Sequence, residues 1–93
     1  MFTGLIQDIG RVAAVEHRPD GRHFRIECPA LASQIAVDDS VATNGVCLTA
    51  TAVDATGFSA EAIAVTLDKT SLGSLQAGNR VNLELAMRFG DRV

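Results

Sequence analysis

The stretch Asn44-Gly45-Val46-Cys47-Leu48-Thr49-Ala50-Thr51-Ala52 decides how this chain folds. Asn-Gly closes a two-residue hairpin turn, because both residues accept the positive φ angles that such a turn requires. Beyond it the side chains alternate, with Val46, Leu48, Ala50 and Ala52 on one face and Cys47, Thr49 and Thr51 on the other. A period of two is that of a half-buried strand. With the first face in a core, Cys47 and Thr49 point at whatever binds.

The same signals recur outward from this strand. Ser40–Ala42 reads as the strand before the turn, and Asp54-Ala55-Thr56-Gly57 as a hairpin leading into a strand over Phe58–Ile63. Toward the N-terminus, a strand from Leu5 to Val15 is interrupted at Gly10, where a missing side chain permits a bulge or bend. Pro19-Asp20-Gly21 turns the chain into His23–Cys28, where Phe24, Ile26 and Cys28 alternate with Arg25 and Glu27 until Pro29 ends the strand. Ala30–Ile35 suits a short helical turn, and Thr66–Ser71 suits one or two turns of helix capped by Gly73. After Ala77-Gly78-Asn79, Val81, Leu83 and Leu85 alternate with Asn82, Glu84 and Ala86. The expectation is an all-β chain whose six antiparallel strands form a small closed barrel with one or two short helical turns.

Ninety-three residues make a single domain, 1–93, with 47% hydrophobic and 20% charged residues. No apolar run approaches the ~18 residues of a membrane span, so no membrane association is expected. A net charge of −3, with Arg11, Arg18, Arg22 and Arg25 scattered among acids, argues against a nucleic-acid partner. No basic region followed by an apolar core opens the chain, which points to the cytoplasm, where Cys28 and Cys47 stay reduced; an oxidising compartment would permit one bridge between them. A chain this small buries roughly 60–65% of its unfolded surface, and self-association would add to its stability.

Cys47 shares its face with hydroxyl residues, and a thiolate can add to an electrophilic ring carbon; the alternative is a small hydrophobe in a strand. Ser40 and Thr49 can bond the polar edge of a flat heterocycle, or else the backbone nearby. His17 and His23 flank the Pro-Asp-Gly turn as solvated loop residues and fall short of a metal-ligand set, so no metal is expected. Glu61, on the side of Ser59 and Ile63, reads as a solvated carboxylate. No glycine-rich phosphate loop, helix-borne His-Glu-His pair or Ser-His-Asp team is found.

Three segments, in order, resemble the first of two sequence-similar barrels in the riboflavin synthase family: Met1-Phe2-Thr3-Gly4; Asp39-Ser40-Val41-Ala42 with Asn44-Gly45-Val46-Cys47-Leu48-Thr49; and Thr70-Ser71-Leu72-Gly73 leading to Gly78-Asn79-Arg80-Val81-Asn82-Leu83-Glu84. The resemblance spans essentially the whole chain. It implies a Greek-key barrel that binds 6,7-dimethyl-8-ribityllumazine or riboflavin. The reaction it implies is a transfer of four carbons between two lumazines, giving riboflavin and 5-amino-6-ribitylamino-pyrimidinedione. No metal or organic cofactor is implied, because the bicyclic ring serves as both electrophile and carbanion. Residues matching the substrate-binding segments are Gly4, Leu5 and Ile6; Cys47, Leu48 and Thr49; and Glu61, Ala62, Ile63, Ala64, Val65 and Thr66. Ser40 and Cys47 match the positions tied to activity, and Phe2 belongs to an N-terminal segment the family needs.

This chain departs from the family pattern in three places. Val65 stands where a carboxylate is common, and Asp38 where glycine is frequent. The chain also ends at Phe89-Gly90-Asp91-Arg92-Val93, where the family runs on into a second barrel. The expectation is an N-terminal barrel that binds ligand, turns it over weakly or not at all alone, and pairs as a homodimer, the full-length family being homotrimeric. A non-catalytic flavin or lumazine carrier, and a small β-barrel interaction module, are the alternatives.

Overall fold

A computed structural model of the protein describes residues 2–86. The expectations for Met1 and for the Phe89–Val93 end lie outside those residues. There are six strands among these residues: β1 (Asp8–Arg18), β2 (Gly21–Glu27), β3 (Ser40–Thr43), β4 (Val46–Val53), β5 (Gly57–Ile63) and β6 (Arg80–Leu85), with helical segments between β2 and β3 and between β5 and β6. They close antiparallel in the order β1-β2-β5-β4-β3-β6. Strands β3, β4 and β5 run as a meander, with β2 returning beside β5 and β6 beside β3, so two Greek keys overlap. Closure leaves no free sheet edge running the length of the chain.

The alternation read from the sequence is what fills the interior. Val12, Phe24, Ile26, Val41, Leu48, Ala50, Phe58, Ala60, Val81 and Leu83 are buried in one cluster, joined by Leu72 from the segment between β5 and β6. Phe24 and Phe58 are its largest members, and each aromatic side chain so buried contributes on the order of 1.5–3 kcal/mol. Asn44 and Gly45 adopt φ of 50° and 80°, the left-handed pair of the hairpin turn joining β3 to β4.

Several expectations are corrected. The bulge of β1 lies between Val12 and Ala14 rather than at Gly10. Gly10 instead sits where space is tight: a Cβ there would meet Leu83 Cδ1 at 2.7 Å and the Glu27 carbonyl oxygen at 3.0 Å. A second irregularity, between Ala50 and Ala52, turns Ala52 out of the core and exposes it. The helix after β5 begins earlier than read, as α2 (Ala64–Lys69), following α1 (Pro29–Ala32). Gly73 does not cap α2 but lies inside a separate 3-10 turn, Ser71–Ser74. Thr70 divides the two, its hydroxyl donating to the Thr66 carbonyl and accepting from the Leu72 N–H. His17 and His23 are strand residues, in β1 and β2, because the hairpin turn is tighter than the loop expected for it.

Candidate functional site

Register places the site residues. Across β4, β3 and β6, Leu48 opposes Val41 and Val41 opposes Leu85, a row that faces the core. The neighbouring rows therefore face outward: Thr49 opposite Ser40, and Cys47 opposite Ala42, itself opposite Glu84. Cys47 and Thr49 are exposed and Ser40 half-buried. Ser40, Cys47 and Thr49 thus share one outward patch, and no side-chain hydrogen bond occupies them among the described residues. Leu48, expected in the binding segment, turns its side chain into the core and offers the outward face only its backbone.

The ladder between β4 and β5 is incomplete. It joins Ala50 to Ala60, Ala52 to Ser59 and Val53 to Phe58, and no pair links Val46–Thr49 to Glu61–Ile63. That part of β5 pairs on its other side with β2, through Glu61 with His23, Ala62 with Arg22 and Ile63 with Gly21. The ladder thus ends before Cys47 and Thr49 on β4 and before Ile63 on β5, which Ala64, Val65 and Thr66 follow; we call this unladdered stretch of the wall the slot. Strand backbone facing such a gap carries donors and acceptors that need partners. Ile63 and Val65 are 64% and 56% exposed, an apolar wall beside those polar groups. Ala62, like Leu48, turns its methyl into the core.

Glu61 is exposed as expected but not free. Its Oε1 lies 3.4 Å from His23 Nδ1 and 3.8 Å from Arg18 Nη1. The Arg18 and Glu61 side chains rim a small hollow of about 70 Å³ with Asp20 and Ile63, continuous with the β5 lip of the slot.

The N-terminal segment reaches the same outward face from β6. The Glu84 carboxylate accepts from the Thr3 N–H and the Thr3 hydroxyl, and from the Gly4 N–H at 3.0 Å. Gln7 continues the attachment, its N–H donating to the Leu83 carbonyl and its side-chain oxygen accepting from the Leu85 N–H. Burial opposes charge on Glu84, but the Thr3 and Gly4 donors outweigh it and hold the carboxyl below its ordinary range. Between these anchors Leu5 and Ile6 are 70% and 60% exposed. Two strand spacings, about 10 Å, separate the Glu84 and Cys47 positions across the sheet. Sequence reasoning passed over Glu84: alternation assigned it an outward polar place, and its partners lie at the opposite end of the chain.

The two cysteines differ in kind. Cys28 is buried, and desolvation, helped by the nearby Asp8 charge, pushes its thiol up to about 11. Cys47 is exposed, so the accessible sulfur is the one on the slot. Among the described residues no group of three or more His, Cys, Asp or Glu side chains could hold a metal ion, and no helix is long and apolar enough to cross a membrane.

Comparison with known proteins points to one family. Residues 3–86 match the lumazine binding domain family. Among curated proteins, the chain is 40% identical over 94 residues to riboflavin synthase of Mycobacterium bovis, covering 100% of this chain and 47% of that protein. It is 36% identical over 97 residues to riboflavin synthase of Actinobacillus pleuropneumoniae, covering 100% and 45%. With the Bacillus subtilis enzyme it shares 35% identity over 94 residues, covering 97% and 44%. The chain thus spans about half the length of the curated relatives it matches. The same fold occurs in the crystal structure of LumP complexed with 6,7-dimethyl-8-(1'-D-ribityl) lumazine, with a TM-score of 0.86 over 100% of this chain and 52% of that one, at 24% identity. A barrel closed by two overlapping Greek keys, with its family match running from Thr3 to Ala86, makes this chain a member of the lumazine binding domain family.

Proposed function

We propose that the chain is the N-terminal barrel of a riboflavin synthase and that it binds 6,7-dimethyl-8-ribityllumazine or riboflavin in the slot between β4 and β5. The observation that carries this reading is the break in the β4–β5 ladder, flanked by unoccupied polar groups at Cys47 and Thr49 and by the exposed Ile63 and Val65. A flat bicyclic ring matches that geometry. Its pyrimidinedione edge offers donors and acceptors to strand backbone, and its faces rest on aliphatic side chains. LumP, which shares the fold, was crystallised in complex with a ribityl lumazine, in keeping with this reading.

In the reaction, one lumazine gives up four carbons to a second, forming riboflavin and 5-amino-6-ribitylamino-pyrimidinedione. Two rings must meet face to face, and a single slot orients one of them. The second is supplied by the partner barrel that the longer relatives have room for. Cys47 and Ser40 are the groups within the patch that can contact ring carbons and exchange protons with them. No metal or organic cofactor enters this scheme. By the same reasoning the isolated barrel binds ligand without appreciable turnover, and its exposed Leu5, Ile6, Ile63 and Val65 favour pairing with a second copy in a two-fold dimer.

Titration of the 93-residue chain with riboflavin tests the reading. Saturable quenching of the flavin emission is expected; emission unchanged at high micromolar protein would reject it and favour a generic interaction barrel.

A further inference from the structure

On the far side of the barrel, Arg11 of β1 and Arg80 of β6 are direct cross-strand partners. Both are exposed. Like charges placed directly opposite each other destabilise a sheet, so the fold gains nothing from the pair. The other arginines of the described residues are engaged: Arg18 with Glu16 and Glu61, Arg25 with Asp54 and Glu27, and Arg22 with the Gly73 carbonyl. Arg11 and Arg80 make no such contact among the described residues. Arg11 also has Glu27 as its partner on β2, but that carboxylate lies 3.6 Å from Arg25 instead.

The two arginines line an open groove of about 370 Å³ whose remaining walls are Ile9, Gly10, Glu27 and Pro29. Ile9 is 56% exposed there, an aliphatic surface beside two cations. Guanidinium groups present planar forks of N–H donors that match the oxygens of a phosphate group; the Glu27 carboxylate shares the groove, but it is drawn to Arg25 at 3.6 Å, which leaves both guanidiniums for the anion. The apolar wall accounts for a body attached to that group. From this juxtaposition we infer a second binding site, formed by Arg11 and Arg80 and flanked by Ile9 and Pro29, that takes a phosphate monoester with an apolar body. It is independent of the slot between β4 and β5, and two cations are too few for a nucleic-acid backbone.

The test is a titration of the ¹⁵N-labelled chain with phenyl phosphate and with inorganic phosphate, at ionic strength held constant with sodium chloride, beside a separate series with sodium chloride alone. Phenyl phosphate should give saturable shifts confined to Ile9, Gly10, Arg11 and Arg80 and bind at least threefold tighter than inorganic phosphate. Chloride should produce none of these shifts. Arg80→Gln should weaken phenyl phosphate at least tenfold while melting no lower than the parent, and Arg18→Gln should bind it unchanged. Shifts spread over all the arginines, equal or tighter binding of inorganic phosphate, or undiminished binding by Arg80→Gln would overturn the assignment. A lower melting temperature for Arg80→Gln would make the pair structural and overturn it equally.

Discussion

Glu84 holds Thr3 by two hydrogen bonds across nearly the whole length of the chain, one from the backbone N–H and one from the hydroxyl. The arrangement fastens the N-terminal segment over the outward face that also carries Ser40 and Cys47. Glu84→Gln keeps the shape but replaces one acceptor oxygen with a donor, so the charge-assisted bonds to Thr3 and Gly4 weaken. Hydrogen exchange at the Thr3 and Gly4 amides should accelerate while far-UV circular dichroism stays unchanged. Lumazine affinity should fall if the strap borders the site; equal exchange rates in both proteins would show that the strap is held by Gln7 alone.

Acid should loosen the fold through two carboxyls of the same sign. Asp54 accepts first from Arg25, at 2.6 Å, and also from the Thr56 backbone, and its pKa falls from 3.8 to about 2. Glu84 is likewise held below its reference value of 4.5. Both are more acidic folded than unfolded, so their stabilisation is complete above the unfolded values and is lost as pH falls through the folded ones. Melting temperature should therefore decline below about pH 4.5, and Asp54→Asn should flatten the part of that decline between about pH 4 and pH 2.

The cysteines should separate by reactivity. Burial keeps Cys28 protonated up to about pH 11, whereas Cys47 is open to solvent. Iodoacetamide at neutral pH should modify one cysteine in the native protein, identified by peptide mapping as Cys47, and both after unfolding. Bound riboflavin should slow the first modification. Rapid native labelling of Cys28 would contradict the packing.

Substitutions in the slot should affect ligand more than fold. Thr49→Val removes a hydroxyl without a protein partner and should weaken binding by about 1 kcal/mol, roughly fivefold, if that hydroxyl meets the ring. Cys47→Ser should preserve binding and lower turnover when a second barrel is present. By contrast, Phe58→Ala empties a wholly buried site and should cost about 3–5 kcal/mol of stability, measured by urea unfolding.

Much of the barrel was legible because a period of two separates inside from outside, as at Val81 and Leu83 and in the buried half of β4, whereas Val41–Thr43 and Gly57–Ala60 are buried without interruption. What local sequence lacked was pairing. Ala52 satisfies the alternation yet lies outside, because the irregularity beside Thr51 is decided by what β5 places opposite it. Leu48 and Ala62 fall inside segments matched to a binding site, but strand parity sends their side chains inward and leaves only their backbone. The helix boundary was displaced because Thr70 bonds back to Thr66 and ends α2 before the 3-10 turn begins. Asp38 adopts φ of 73°, the left-handed conformation glycine reaches most freely and aspartate tolerates. Glu84 was invisible as a site element because nothing near it in sequence announces Thr3.

The central claim is that a pteridine lies in the parted wall between β4 and β5. The most direct measurement is a ¹H–¹⁵N chemical-shift titration of this chain with 6,7-dimethyl-8-ribityllumazine. The account predicts saturable shifts concentrated at Cys47–Thr49, Ile63–Thr66 and Gly4–Ile6. Shifts confined to other strands, or no saturable shifts at millimolar ligand, would contradict it.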